Sequence, residues 1–185
     1  MIIGYQGEIG CYTYASIKKF LYNKYNKLVN FISFEDIFNA LKNNKITHGF
    51  IPIENTIGGK INENELLLRN NNKINIIEKY KFKINHCLLA NKNIKRENLK
   101  DIYSHWQALK QCSDYLINND FNGISYYDTA GSCKYIFDEN KQDIGAIASK
   151  ECSKIYNLEI IEENIQNNDK NYTTFYLIEL KKNIL

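Results

Sequence analysis

Apolar residues recur along the chain with two spacings, one typical of helices and one typical of strands. In residues 34–41 the apolar positions follow the i, i+3, i+4, i+7 spacing of one helical face, and Ser33 and Asp36 fit a capping box. Short apolar runs, as at residues 48–53 and 144–149, indicate buried strands instead.

These spacings divide the chain into two halves, joined near residues 75–80, in which strands and helices alternate. This order predicts an α/β fold. Predicted strands cover residues 1–3, 48–53, 74–90, 102–103, 123–127, 144–149, 159–162 and 173–180. Predicted helices cover residues 12–25, 33–43, 63–69 and 150–156, and two more begin at 104–107 and 128–132. The stretch 104–107 also fits a capping box that starts at Ser104.

Polar or glycine residues stand where a predicted strand passes into the next helix, at residues 4–10, 54–56, 104–107 and 128–132. In open α/β sheets ligands bind at such junctions, and the free N–H groups of a helix start suit carboxylates and phosphates. Together the junctions predict a cleft between two α/β lobes that binds a small anion. Taken singly, Ser104 and Thr129 also fit plain N-caps, and Glu54-Asn55 fits an ordinary turn.

A polar loop followed by Asn171-Tyr172-Thr173-Thr174-Phe175 precedes the last apolar run of the chain. A loop, then hydroxyl groups, then a strand is an arrangement that brings an alcohol side chain to the mouth of a cleft. Thr-Thr is also a good β dipeptide, so a role in filling the strand stays open.

Composition narrows the classes of function. The 185 residues carry a net charge of +3 with scattered lysines, which predicts no nucleic-acid partner. Five cysteines without a Cys-x-x-Cys pair predict reduced thiols and a cytoplasmic location, with neither a disulfide framework nor a metal site. No apolar run approaches the ~20 residues that span a bilayer, and signal-peptide features are missing, so no membrane association is expected.

Common catalytic motifs do not match. The order of a Ser-His-Asp triad, a Walker loop and a dinucleotide fingerprint are all missing, and Gly4-x-x-Gly7-x-x-Gly10 differs from the nucleotide-binding spacing. His86 lies in an apolar run, which favours a core or lobe-joining role over a catalytic one. His105 lies at a predicted first helical turn and is expected to position a loop.

Several specific motifs follow one another along nearly the whole chain. They are Gly4-x-x-Gly7, Pro52-Ile53-Glu54-Asn55-Thr56, Ile61-x-Glu63-Asn64, His86-Cys87-Leu88-Leu89, Ser104-His105-x-Gln107-Ala108-Leu109-x-Gln111-Cys112, Asp128-Thr129-Ala130-Gly131-Ser132, Ala146-Ile147-Ala148-Ser149, Asn164-Ile165-Gln166 and Asn171-Tyr172-Thr173-x-Phe175. In this order they resemble the catalytic domain of prephenate dehydratase, which makes phenylpyruvate in phenylalanine biosynthesis.

The resemblance implies a fold like that of type II periplasmic binding proteins, with two lobes, the active site in the interlobe cleft, and a last strand that returns to the first lobe. Lobe 1 is then expected to comprise residues 1–77 and 171–185, and lobe 2 residues 78–170. The family also implies a homo-oligomer, with a dimer as the expected state. Since the chain stops soon after its last predicted strand, we expect no regulatory ACT domain.

The implied activity is that of a carbon–oxygen lyase, which removes carbon dioxide and the ring hydroxyl from prephenate. Aromatisation drives this reaction, so no cofactor or metal is expected. Thr173 matches the family's donor to the leaving hydroxyl. The positions that match substrate-binding residues are Asn55, Thr56, Ser104, Gln107, Gln111, Thr129, Ala130 and Phe175. Glu54, Asp128 and Thr174 match positions that support the site.

The chain departs from the family pattern chiefly at Thr174, where an arginine usually stands, and also at Trp106 and Asn167, where proline and aspartate are usual. Successive strand side chains point to opposite faces, so Thr174 cannot replace Thr173. The loss of a guanidinium removes a bidentate partner for a carboxylate. Two alternatives therefore stay open: an arogenate dehydratase acting on the aminated analogue, and a catalytically impaired or non-catalytic module of the same fold that binds a small anion.

Overall fold

The computed structural model describes residues 1–181, in which strands and helices alternate. In chain order the elements are β1 (Ile2–Gln6), α1 (Tyr12–Phe20), β2 (Lys27–Phe31), α2 (Phe34–Lys42), β3 (His48–Asn55), β4 (Gly59–Lys60), α3 (Asn62–Arg69), β5 (Ile74–Lys83), β6 (Cys87–Ala90), a 3₁₀ turn (Arg96–Asn98), β7 (Asp101–Ser104), α4 (Trp106–Gln111), α5 (Ser113–Asn118), β8 (Asn122–Ser125), α6 (Thr129–Asp138), β9 (Ile144–Ala148), α7 (Glu151–Ile155), β10 (Glu159–Glu163) and β11 (Tyr172–Leu180). Residues 182–185 of the predicted lobe 1 lie outside the described residues.

The chain forms two compact units, each built on its own sheet. Unit 1 comprises Met1–Gly7, Thr13–Lys83 and the chain from Asn171 onward, and unit 2 comprises Glu8–Tyr12 and Ile84–Lys170. The change of lobe predicted between residues 77 and 78 falls inside β5. Since β5 pairs with β11 as far as Lys83, the whole of this strand belongs to unit 1, and unit 2 continues from Ile84.

The sheet of unit 1 has the order β2-β1-β3-β11-β5, and β4 pairs with β3 outside this path. β1 runs parallel to β2 and β3, whereas β11 runs antiparallel to β3 and β5. The last strand of the chain therefore lies between two strands of the first unit. This insertion brings Thr173 opposite Asn55, although 118 positions separate them in sequence.

Helix α2 contributes its apolar face to the core of unit 1. The predicted capping box is confirmed: the Ser33 hydroxyl oxygen accepts from the Asp36 N–H, and the Asp36 carboxylate accepts from the Ser33 N–H. The apolar stripe of the helix packs into a buried cluster with Ile51 of β3 and Ile178 of β11. A local cap and a helical stripe thus hold the two strands that carry Asn55 and Thr173.

The sheet of unit 2 has the order β10-β6-β9-β7-β8. β7 runs parallel to β8 and β9, and β6 runs antiparallel to β9 and β10. Leu88, Ile102, Cys112, Ile147 and Ile165 belong to its buried core. Among the described residues the five cysteines are buried free thiols, as the sequence predicted.

Several predicted boundaries were wrong. Helix α1 ends at Phe20 rather than at residue 25, and the predicted strand 74–90 is interrupted between β5 and β6. Gly4 lies inside β1, where an added Cβ would come within 2.5 Å of the Ile46 side chain and 2.9 Å of Phe31. Packing therefore excludes a side chain at Gly4. Gly7 and Gly10, in contrast, adopt positive φ angles that favour glycine.

Within residues 1–181, no helix is both long enough and apolar enough to cross a bilayer.

Candidate active site

Thr173 lies near the start of β11, where side chains alternate between two faces. Its side chain is buried, with the residue 8% exposed, whereas Thr174 is partly exposed on the other face. In the antiparallel ladder Thr173 stands opposite Asn55 of β3. The two threonines are thus in different environments, and only Thr173 shares a face with Asn55.

The Asn55 side-chain amino group binds three acceptors around the start of β11. Its Nδ2 donates to Asn171 Oδ1 at 2.8 Å, to Thr173 Oγ1 at 2.9 Å and to the Tyr172 carbonyl at 3.2 Å. These bonds join the ends of β3 and β11 through one side chain.

The orientation of the Asn55 amide is determined by its other end. Its Oδ1 accepts from the backbone N–H of Ile57 at 3.0 Å and of Gly58 at 2.7 Å. A flipped amide would place its NH₂ group against these two N–H donors. The amino group therefore faces Thr173, and Asn55 is the donor in that bond.

The hydrogen bond from Asn55 leaves the Thr173 proton available. A hydroxyl has one proton and two acceptor sites, and Asn55 occupies one of the acceptor sites. Within the described part of the chain, Asn55 is the hydrogen-bond partner recorded for this hydroxyl. Accepting a bond also polarises an O–H group and makes it a better donor. Thr173 is thereby prepared to donate a hydrogen bond to a ligand.

Thr56 and Glu54 flank Asn55 and are exposed. Thr56 forms two bonds with Tyr172: its N–H donates to the Tyr172 carbonyl, and its hydroxyl oxygen accepts from the Tyr172 N–H, each at 2.9 Å. Thr56 therefore closes the end of the β3–β11 pair. Glu54 stands opposite Thr174 in the ladder and so lies on the face away from Thr173.

Ser104 is fully buried at the end of β7, and the capping box predicted there was wrong. Its hydroxyl donates to the carbonyl oxygen of Ile147 in β9 at 2.5 Å. The cap of α4 is His105 instead, whose Nδ1 accepts from the Gln107 N–H at 3.4 Å. The strand continues one residue further than predicted, because Ser104 still pairs with Ser125 of β8.

The two glutamines of α4 differ in their surroundings. Gln107 is exposed near the start of the helix, whereas Gln111 is partly buried at its end. The Gln111 side-chain oxygen lies 2.7 Å from Nε2 of the buried His86. The i, i+4 spacing predicted that both glutamines lie on one face of the helix. In the described part of the chain, the contact with the buried His86 belongs to Gln111.

Asp128 is the N-cap of α6. Its carboxylate accepts from the N–H of Gly131 at 2.9 Å. Burial raises the pKa of the Asp128 carboxyl, and the nearby backbone N–H groups of Gly131 and Ala130 act in the opposite direction. The sequence had assigned the amides after Thr129 to a substrate carboxylate. The side chain of Asp128 occupies the Gly131 amide, and Ala130 is fully buried, so a role of Ala130 in binding substrate stays a prediction.

Replacing Asp128 with alanine should lower the free energy of unfolding by about 1 kcal/mol, because α6 loses its cap. The Asp128→Asn variant retains an oxygen that can accept from Gly131 and should stay within about 0.5 kcal/mol of the parent. Urea denaturation of both variants measures the difference. Equal stability of Asp128→Ala and the parent would contradict the capping role.

Phe175, predicted to contact substrate, lies in the core of unit 1. It is 1% exposed, and its ring stacks on Phe50 with centroids 5.2 Å apart. A ring with almost no accessible surface contributes packing rather than ligand contact. The alternation that buries Thr173 buries Phe175 as well, two residues further along the same face.

Three polar residues of unit 2 take part in a hydrogen-bond network that the sequence did not predict. Tyr12, His86 and Gln166 form a connected hydrogen-bond network with Gln111. The apolar run around His86 had favoured a core position, and the residue is indeed 2% exposed. Tyr12 gave no signal, because its partner His86 lies 74 positions away in sequence.

The profile of the prephenate dehydratase family matches residues 3–183. The chain belongs to this family. Among curated prephenate dehydratase relatives, it is 36% identical over 177 residues to arogenate dehydratase 2 of Petunia hybrida, covering 95% of this chain and 44% of that protein. It is 34% identical over 186 residues to the bifunctional chorismate mutase/prephenate dehydratase of Buchnera aphidicola subsp. Acyrthosiphon pisum, covering 96% and 48%. The chain thus spans about half the length of these relatives.

The fold of this prephenate dehydratase family member also matches solved structures. The prephenate dehydratase of Arthrobacter aurescens, solved in complex with L-Phe, superposes with a TM-score of 0.89 at 17% identity, covering 98% of this chain and 61% of that one. The fold class predicted from the sequence, an α/β fold of the type II periplasmic-binding-protein kind, is therefore confirmed.

Proposed function

We propose that the chain is the catalytic domain of a prephenate dehydratase, which converts prephenate into phenylpyruvate, carbon dioxide and water. Family membership supports the reaction class. The observation that carries the proposal is the 2.9 Å bond from Asn55 Nδ2 to Thr173 Oγ1. It holds a buried hydroxyl in the orientation of a hydrogen-bond donor, which the reaction requires.

The reaction breaks two bonds of prephenate. The ring carboxylate leaves as carbon dioxide, and the electron pair of its C–C bond becomes part of the aromatic ring. The ring hydroxyl leaves with the electrons of its C–O bond, and one proton converts it into water. In our proposal Thr173 donates to this leaving oxygen, a contribution typically worth about 10²–10⁴-fold in rate.

A dianionic substrate needs hydrogen-bond donors. We assign Gln107 and Gln111 to this role, because each carries an amino group and both lie on α4. Ser104 is left out, since its hydroxyl proton already bonds the Ile147 carbonyl. Substrate contacts of Thr56 and Thr129 stay predictions.

The specific observation that favours a second substrate is the relative from Petunia hybrida, which is named an arogenate dehydratase. Arogenate is the aminated analogue of prephenate, and its dehydration gives phenylalanine instead of phenylpyruvate. The purified protein should be incubated with each substrate, and both products quantified by chromatography. A larger kcat/KM with prephenate supports the proposal, whereas a larger value with arogenate favours the alternative. Calorimetric binding of prephenate without either product would indicate a non-catalytic module.

Replacing Thr174 with arginine should raise kcat/KM for prephenate, because it restores the cation expected from the family pattern. The arginine would stand opposite Glu54 on β3 and Lys81 on β5. An unchanged kcat/KM would instead indicate that Lys81 already supplies a cation on this face, since directly opposed side chains share a face. The Lys81→Met variant, assayed with and without Thr174→Arg, distinguishes these two cases.

A cytoplasmic location belongs to the proposal and is supported by the buried free thiols. The homodimeric state stays a prediction, which light scattering after size-exclusion chromatography measures.

A further inference from the structure

A buried asparagine, Asn171, lies beside Thr173 at the start of the last strand. It directly precedes β11 and is fully buried, with 0% of its surface exposed. Tyr172, between the two buried residues, is only partly buried, so burial alternates from Asn171 onward. The Asn171 Oδ1 accepts from Asn55 Nδ2 at 2.8 Å, the shortest of the three bonds that this amino group donates.

The orientation of the Asn171 amide follows from backbone groups of the β3–β4 turn. Asn55 Oδ1 accepts from the N–H groups of Ile57 and Gly58, and a backbone N–H can only donate. Asn55 therefore turns its amino group towards Asn171, and an amino group needs an acceptor. The oxygen of the Asn171 amide, rather than its nitrogen, must face Asn55.

The Asn55 amino group has two protons for three acceptors. Asn171 Oδ1 at 2.8 Å and Thr173 Oγ1 at 2.9 Å are nearer than the Tyr172 carbonyl at 3.2 Å. The two nearer oxygens therefore take one proton each, and the carbonyl can only share one. Both N–H bonds lie in the plane of the amide, so an acceptor for one proton also sets the direction of the other. Without the Asn171 oxygen, the amide would turn towards the Tyr172 carbonyl and away from Thr173.

The backbone at the start of β11 is held by bonds that do not involve the Asn171 side chain. The Thr56 N–H donates to the Tyr172 carbonyl, and the Thr56 hydroxyl oxygen accepts from the Tyr172 N–H, each at 2.9 Å. Thr173 also pairs with Asn55 in the ladder between β11 and β3. Replacement of the Asn171 side chain should therefore leave the strand in register, and its effect is expected in the direction of the Asn55 amino group.

We propose that Asn171 is a positioning residue for Thr173, on which it acts through Asn55. By accepting one proton of the Asn55 amino group, Asn171 directs the other proton to Thr173 Oγ1. That bond occupies an acceptor site of the hydroxyl and keeps the Thr173 proton directed to the leaving oxygen of the substrate. This inference rests on the proposed function, in which Thr173 is the donor.

The test is the Asn171→Leu variant, which keeps a side chain of similar length without its acceptor. We expect kcat for prephenate to fall about tenfold, with KM changing less than about twofold, because the hydroxyl is misdirected while substrate binding is retained. The same substitution in a Thr173→Val background should change kcat less than about twofold, because no hydroxyl is left to direct. A purely structural role of Asn171 would lower kcat by a similar factor in both backgrounds.

Two further variants make the result specific. Asn91→Leu removes a buried amide from unit 2, where Asn91 Nδ2 donates to the carbonyls of Ile136 and Lys141 at 3.1 and 2.8 Å. It controls for the loss of a buried asparagine, and its kcat should stay within about twofold of the parent. Asn171→Asp keeps an oxygen for Asn55 and should retain kcat within about threefold, since repulsion of an anionic substrate by the carboxylate appears in KM.

A folded Asn171→Leu variant with the kcat of the parent would overturn the inference, and so would equal losses in the two backgrounds. If Asn171→Leu does not fold, Asn171→Asp decides: retained kcat supports the inference, and a fall as large as that of Thr173→Val rejects it.

NMR of the Asn55 side chain separates this inference from the proposed function, which fails if the protein converts neither prephenate nor arogenate. The two Asn55 amino protons should exchange slowly with solvent in the parent protein, and one of them should shift and lose this protection in Asn171→Leu. Amino protons of Asn55 that the substitution leaves unshifted would reject the role of Asn171, whatever the protein converts.

Discussion

The Thr173→Val variant should convert prephenate about 10²–10⁴-fold more slowly than the parent protein while it remains folded. Valine has the shape of threonine without the hydroxyl, so the hydrogen bond to the leaving oxygen is lost. Asn55 retains its bonds to Asn171 and Tyr172, and we expect the free energy of unfolding to fall by only about 1 kcal/mol. Steady-state kinetics give kcat, and urea denaturation gives the stability.

The matched control is Thr173→Ser, which keeps the hydroxyl in reach of Asn55. It should retain kcat within about tenfold of the parent, because the donor remains and only the methyl group that restrains its rotation is lost. A Thr173→Val variant with the kcat of Thr173→Ser would show that the hydroxyl does not take part in the reaction.

The Asn55→Asp variant should lose both turnover and stability. A carboxylate has the same shape but donates no hydrogen bond, so it faces Asn171 Oδ1, the Tyr172 carbonyl and Thr173 Oγ1 as an acceptor. The bond to Asn171 Oδ1 would become a contact between two acceptors, and a buried bond lost in this way costs about 1–3 kcal/mol, which is the loss that we expect. The Thr173 proton would then turn towards the new carboxylate and away from the substrate, which should lower kcat by at least about 10².

The Asn119→Asp variant is the control for the replacement of an amide by a carboxylate. Asn119 donates one bond, to the Tyr115 carbonyl at 2.9 Å in unit 2, so its replacement should cost about 1 kcal/mol and leave kcat unchanged. Thermal unfolding and steady-state kinetics of both variants measure the two effects. Equal losses in Asn55→Asp and Asn119→Asp would mean that the bonds of Asn55 have no special role.

Features that depend on neighbouring residues were predicted well. The stripe of α2 and its capping box, Ser33 with Asp36, were readable because a helical face and its cap are defined within a few residues. The second capping box failed at Ser104. The same local pattern was present there, but pairing with Ser125 extends the strand and moves the cap to His105.

The candidate site was only partly predictable for a related reason. The motifs marked Asn55, Thr173, Gln111 and Asp128, but residue type does not determine the partner of a polar group. The carboxylate of Asp128 accepts from the Gly131 amide, which belongs to the helix start that was expected to bind substrate. No local sequence pattern shows which partner a polar group will bind, because this depends on distances that differ by a few tenths of an ångström.

The amino-acid sequence alone established the α/β class, the order of most elements, the family and the candidate donor Thr173. These properties follow from spacing and motifs, which are local along the chain. Only the tertiary structure decided that Asn55 donates to Thr173 across 118 positions, and that Tyr12 meets His86 across 74. Hydrogen bonds need a donor and an acceptor about 3 Å apart with suitable angles, and the packing of segments distant in sequence sets that geometry.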